Sequence, residues 1–148
     1  MRRSEPTIQT FLLDSNVFIA AIRNPKKQTG TLRLVLEIIE DQDVELIGDN
    51  LLVEEMLRYA ELLKSQTAAT LVAGLLSKTK IVDVSEKYRK ICRSYLQTPD
   101  KDDILHAAAC LETNSILISN DRHFERIRDE GIIKVWNIAE AIKRLLKT

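Results

Sequence analysis

The stretch Phe11-Leu12-Leu13-Asp14-Ser15-Asn16-Val17-Phe18-Ile19 constrains the fold more than any other part of the chain. The short apolar run Thr10–Leu13 suits a buried strand. It stops abruptly at Asp14-Ser15-Asn16, and a second apolar segment follows at once. Ser15 or Asn16 can cap a helix that starts just beyond it. The local expectation is a strand, a sharp turn and a helix, with a carboxylate at the strand's carboxyl end. Open α/β sheets bind their ligands just past those ends. A carboxylate on an apolar strand also costs desolvation free energy unless something pairs with it.

The rest of the chain repeats this alternation. Residues 1–8 read as a loose lead-in, Thr10–Asp14 as the first strand and Asn16–Ile22 as a short helix. After the polar break Asn24-Pro25-Lys26-Lys27-Gln28, Thr31 opens a helix with Leu32, Val35, Leu36 and Ile39 at helical spacing. Val44–Gly48 is a second strand, and Asp49 or Asn50 caps a helix running to Leu63. Thr67–Leu76 is a further helical run, Lys80–Val84 a third strand, and Ser85 the cap of another helix. Thr98-Pro99-Asp100-Lys101 is a loop. Asp102 or Asp103 then starts the helix Ile104–Glu112, and Ser115–Ser119 is an apolar strand. Arg122–Glu130 reads as helix, stopped by Gly131. Ile132–Trp136 is the last strand, and Asn137 caps a closing helix. Strands and helices alternating from end to end predict a three-layer α/β/α sandwich with a mainly parallel sheet of about five strands.

The 148 residues suit one domain, 1–148, with one core. The 22 basic and 22 acidic residues balance, so there is no global signature of nucleic-acid binding. No apolar run approaches the roughly 18 residues of a membrane span, and the first ten residues lack the apolar centre of a secretory signal. Cys92 and Cys110 each lie in an apolar-periodic segment and read as buried free thiols of a reducing compartment, which makes a cytoplasmic location the expectation. No Gly-rich phosphate loop is present, and no nucleophile elbow accompanies any serine.

Four acids stand out against this scaffold. Asp14 ends the first strand and Asp121 follows the strand Ile116–Ser119; if those strands are neighbours, both carboxylates face one crevice. By i±4 spacing Glu55 faces inward with Leu51 and Tyr59, whereas Glu54 lies nearer solvent. Asp103 precedes Ile104-Leu105-His106-Ala107-Ala108-Ala109, whose small alanines let a helix approach the sheet closely. Taken singly, each acid also suits a helix cap, a dipole partner or a surface position. Together they would repel one another without a cation. Oxygen donors favour Mg²⁺ or Mn²⁺, ions that activate water and stabilise the charge of a phosphodiester displacement. His106, one turn after Asp103, reads as a packed or hydrogen-bonded histidine, and His123 as an exposed one near phosphate; neither has zinc-site spacing.

At these residues the chain resembles the PIN-domain family of nucleases. The resemblance rests on Leu12-Leu13-Asp14-Ser15-Asn16-Val17, Leu52-Val53-Glu54-Glu55-Met56-Leu57, Asp103-Ile104-Leu105-His106-Ala107-Ala108-Ala109 and Ile116-Leu117-Ile118-Ser119-Asn120-Asp121-Arg122-His123-Phe124, which span nearly the whole chain. It implies a metal-dependent ribonuclease whose catalytic and metal-ligating residues are Asp14, Glu55, Asp103 and Asp121. Asn16 would orient the first aspartate and Ser119 would support the last. The doublets Glu54-Glu55 and Asp102-Asp103 permit a one-residue shift. A further acid that some members carry after the last aspartate is replaced here by Arg122, His123 and Phe124. The implied reaction is in-line attack of water on a backbone phosphate with one or two Mg²⁺ or Mn²⁺ ions, and Arg58, Arg122, His123 and Arg126 are candidate RNA contacts. Many small members are toxins of VapC-type toxin–antitoxin pairs, which implies an antitoxin partner, and members often form homodimers. The alternatives are an RNA-processing nuclease outside such systems and a non-catalytic RNA-binding or scaffold domain.

Overall fold

The computed structural model describes residues 7–23, 29–96 and 100–146. The polar break at 24–28, the first half of the 98–101 loop and most of the N-terminal lead-in lie outside those residues. Five strands are present among them: β1 (Gln9–Leu13), β2 (Val44–Gly48), β3 (Thr79–Ile81), β4 (Ile116–Ile118) and β5 (Lys134–Trp136). All are parallel, in the order β3-β2-β1-β4-β5. β1 is central because its sequence suits burial on both faces: Phe11, Leu12 and Leu13 are each at most 1% exposed. Leu12 pairs with Ile47 of β2 on one side and with Leu117 of β4 on the other.

Eight α-helices flank this sheet among the described residues: α1 (Ser15–Arg23), α2 (Thr29–Glu40), α3 (Asn50–Leu63), α4 (Gln66–Lys78), α5 (Glu86–Arg93), α6 (Lys101–Thr113), α7 (Glu125–Asp129) and α8 (Ile138–Leu145). Chain order steps one way from β1 to β3, then reverses across β1 to β4 and β5. Right-handed crossovers therefore put α1–α4 on one face and α5–α7 on the other. The packing agrees, with α2 against α1, α4 and α8, and α5 against α6. α6 reaches β1, β2 and β4, because Ala107, Ala108 and Ala109 are fully buried and leave little side chain between helix and sheet. The C-terminus of α2 is closed by Lys78, whose Nζ donates to the carbonyls of Ile38, Ile39 and Asp41 at 2.5, 3.3 and 2.6 Å. Cys92 and Cys110 are buried free thiols. None of the described helices is long and apolar enough to cross a membrane.

Several boundaries differ from the sequence reading, each for a local reason. The helix after the 98–101 loop begins at Lys101, ahead of Asp102, because Asp100 is the cap and accepts from the Asp102 N–H at 2.9 Å. The third strand ends at Ile81; Val82 still donates to the Gly48 carbonyl, after which the chain leaves the sheet and Val84 turns into the core. Arg122–Glu130 is not one helix. A 3₁₀ turn, Arg122–Phe124, precedes α7, because Asp121 accepts from the His123 N–H and tightens the first turn. The last strand begins at Lys134. Ile132 donates back to Ile127, and Gly131 donates to Arg128 with φ +73°, so both belong to the end of α7.

Candidate active site

The carboxyl ends of β1 and β4 lie side by side where chain order reverses, and two of the singled-out acids meet there. Asp14 follows β1 directly. Its N–H donates to the Ile118 carbonyl, which carries the sheet register one residue past the strand, and its own carbonyl receives the Val17 N–H of α1. The strand-to-helix turn thus points the Asp14 side chain into the crevice with only 6% of the residue exposed. Ser119, one residue beyond β4, donates its hydroxyl to Asp14 Oδ2 at 2.6 Å. Ser119 Oγ in turn accepts the Asp121 N–H at 3.0 Å. One hydroxyl therefore orients the first aspartate and fixes the backbone of the last.

Asp103 enters from α6, whose alanines bring its first turn over the sheet. Its carboxylate accepts from or shares a proton with His123 Nδ1 at 3.0 Å, and the same nitrogen is 3.2 Å from Asp121 Oδ1. Donor atoms of Asp103, Asp121 and His123 all lie within 4.8 Å of one another. Side-chain exposure rises from 10% at Asp103 to 30% at Asp121 and 54% at His123, so the crevice runs from a buried floor at Asp14 to an open mouth. Beside that mouth lies a polar cavity of about 320 Å³ lined by Asp121, Arg122, Arg128 and Asn137, among others.

The electrostatics are those of crowded acids. Burial raises the Asp14 pKa; the Ser119 hydrogen bond and the nearby His106 pull it back, while Asp121 adds to the rise. Burial likewise lifts Asp103, to about 6, with Asp100, Asp121 and Asp14 adding and the His123 hydrogen bond opposing. His123 is raised in turn, first by its hydrogen bond to Asp103 and then by the charge of Asp121. Negative charge is therefore held at a cost that a cation would offset.

The remaining predicted residues divide. Glu55 is half-buried and Glu54 exposed, as the helical face requires, but no hydrogen bond or ion pair ties Glu55 to the three aspartates among the described residues. The Asn16 side-chain oxygen is buried and makes no hydrogen bond. An uncompensated acceptor two residues from Asp14 suits a further donor to an ion or its water. With carboxylate oxygens from three aspartates it makes an oxygen-rich donor set, which fits a hard divalent cation. Arg58 stacks on Tyr59 at 5.5 Å and Arg126 on Tyr95 at 5.8 Å. Arg122 and Arg126 are both exposed, but they sit on different elements, the 3₁₀ turn and α7.

The sequence reading missed a buried pair behind the site. His106 Nδ1 lies 2.5 Å from Asp49 Oδ2, with side-chain exposures of 2% and 1%. Asp49 also caps α3, accepting from the Leu52 N–H at 2.9 Å. The pair bolts α6, which carries Asp103, to the start of α3, which carries Glu55. Burial alone would lower the His106 pKa; the hydrogen bond and charge of Asp49, helped by Asp14 and Asp102, raise it overall. An apolar-face histidine and a cap-type aspartate 57 residues apart share no sequence pattern that would reveal the pairing.

A family model described as the PIN domain matches residues 11–130. No curated protein sequence matches the chain. Among solved structures, VapBC2 from Rickettsia felis bound to a DNA fragment from their promoter is similar, with TM-score 0.60 and 20% identity over 87% of this chain and 98% of the other. VapBC-1 from nontypeable Haemophilus influenzae is similar with TM-score 0.58 and 17% identity over 88% and 99%. At such identities the likeness is one of fold.

Proposed function

Since the chain belongs to the PIN-domain family, whose members are generally nucleases that use divalent metals, we propose that it is a metal-dependent ribonuclease and the toxin of a toxin–antitoxin pair. The observation that carries the reading is the convergence of Asp14, Asp103 and Asp121 on one crevice, with Ser119 joining the first to the last. Asp14, Asp103 and Asp121 would hold Mg²⁺ or Mn²⁺, with Glu55 completing the set from α3 and Asn16 lending its free oxygen. Such an ion, when bound, supplies a water nucleophile at neutral pH and positive charge against the phosphate oxygens. Ser119 keeps the Asp14 carboxylate in one orientation, so its donors are arranged before substrate arrives. Asp14 and Asp103 are nearly buried, so their carboxylates would face the ion with little competition from bulk solvent. Arg122, which lines the cavity beside the mouth, and the exposed Arg126 would offer cations to the RNA backbone. Support for an antitoxin partner comes from the two structural neighbours, both taken from VapBC complexes.

The test is cleavage of a mixed pool of structured and single-stranded RNA, with single-stranded DNA as control. Wild type is compared with Asp14→Asn, in Mn²⁺ and in chelator. Cleavage that needs the ion and is lost in a folded Asp14→Asn protein is the expected result; equal cleavage by that variant would overturn the assignment. Growth arrest on expression, relieved by the product of a small adjacent gene, is the expected sign of the toxin role.

A further inference from the structure

The acids at the crevice mouth are joined by a nitrogen. His123 Nδ1 stands 3.0 Å from Asp103 Oδ2 and 3.2 Å from Asp121 Oδ1. Around an octahedral ion with bonds of about 2.1 Å, adjacent donors are separated by √2 times the bond, or about 3.0 Å. The two spacings are those of neighbouring vertices of one coordination shell. The ring is held there from both sides in sequence. The His123 N–H donates to Asp121 Oδ1 at 2.9 Å, and Phe124, fully buried, anchors the 3₁₀ turn in the core. A histidine serving only as a phosphate contact would turn its nitrogen outward; this one turns Nδ1 between two carboxylates.

We propose that His123 is a ligand of the divalent ion, and that its imidazole biases the site toward Mn²⁺ over Mg²⁺. The inference rests on the metal-dependent reading above and adds to it a nitrogen donor and a preference among ions. Mg²⁺ favours oxygen ligands and retained water, whereas imidazole suits first-row transition ions. His123 Nδ1 and Asp103 Oδ2 lie at hydrogen-bond distance, 3.0 Å. To bind through Nδ1 the ring would carry its one proton on Nε2: an imidazolium would release its Nδ1 proton to solvent, a neutral ring protonated on Nδ1 would shift that proton to Nε2, and the Nδ1 lone pair would then face the ion. Asp103 and Asp121 would keep their places, because the three donor atoms already lie within 4.8 Å of one another.

Pulsed electron paramagnetic resonance on the Mn²⁺-loaded full chain reads this directly, because a coordinated imidazole couples ¹⁴N to the electron spin. The chain has two histidines, and His106 is engaged with Asp49, so His123→Ala assigns the signal. The expected result is a nitrogen coupling in wild type that is absent in His123→Ala. In competition titrations, Mn²⁺ affinity should fall about 10-fold and Mg²⁺ affinity much less. His123→Gln, which keeps a polar side chain without the imidazole, should behave the same and serves if the alanine variant folds poorly. Mn²⁺ binding that is lost in Asp14→Asn but shows no nitrogen coupling, or an unchanged preference in the His123 variants, would overturn the ligand role and leave the metal site standing. A wild type that binds no Mn²⁺ at all would overturn both.

Discussion

Ser119 donates its hydroxyl to Asp14 Oδ2 at 2.6 Å, across a separation of 105 residues in sequence. Ser119 Oγ itself also accepts from the Asp121 N–H, so the serine couples two strand ends. Ser119→Ala should leave Asp14 short of its strongest partner and the Asp121 turn loosened. Outer partners of metal-holding carboxylates typically contribute about 10–100-fold in affinity or activity, and a loss in that range is expected in Mn²⁺ titration and in RNA cleavage. Ser119→Thr, which keeps the hydroxyl, should retain most of both.

The elevated pKa of Asp103 makes a prediction about stability in chelator. Its carboxyl is raised from 3.8 to about 6, chiefly by burial. Between those values the folded state holds a proton that the unfolded chain has released, so stability falls as pH rises through that window. His123 is raised as well; its contribution is complete at low pH and is lost as pH climbs through its own range, which extends the fall in the same direction. Thermal melts in chelator should show stability declining from pH 4 upward. Asp103→Asn should remove the part between pH 4 and 6, about 1–2 kcal/mol. Saturating Mn²⁺ should reverse the decline, by about 2.7 kcal/mol at 100 times its Kd.

Asp49 and His106 form a buried pair whose members depend on each other. Losing one partner strands a charge in the core, which typically costs about 3–5 kcal/mol. His106→Ala should fall in that range by urea unfolding. Adding Asp49→Asn, which retains an oxygen for the Leu52 cap, should cost far less than the sum of the single changes. His106 also lowers the Asp14 pKa, so its loss should weaken Mn²⁺ binding in the protein that remains folded.

Arg122 and Arg126 should each contribute to RNA binding without reading sequence. Alanine at either position should weaken binding by a similar factor for unrelated RNAs, and each should reduce the salt dependence of affinity by about one phosphate equivalent. Filter binding to catalytically inactive Asp14→Asn over a salt series measures this.

Much of the scaffold was legible because strand ends and helix starts are written in local chemistry. The apolar run before Asp14, the alternation at Val44–Gly48, Gly131 and the Asn137 cap each name their structure within a few residues. The acids at the ends of β1 and β4 were legible for the same reason, once strand order put those ends together. What escaped was set by contacts distant in sequence. Asp49 reads as a cap, and it is one; nothing nearby says that its second oxygen meets His106. His123 reads as an exposed residue after a strand, and only the position of α6 turns its nitrogen toward Asp103. The 3₁₀ turn at Arg122–Phe124 follows from one Asp121 hydrogen bond, which helical spacing alone does not register.

The central position of β1 also has a consequence for synthesis. β1 leaves the ribosome before either strand that pairs with it, and β2 follows soon enough to pair with one of its edges early. Its other edge waits for β4. At roughly 5–20 residues per second, the 105 residues between Asp14 and Ser119 take about 5–20 s to make. Throughout that interval an apolar strand stands half-paired and the crevice has one wall. The acids come together only when the last third of the chain arrives, so a nascent or truncated chain carries Asp14 without the partners that would make it reactive.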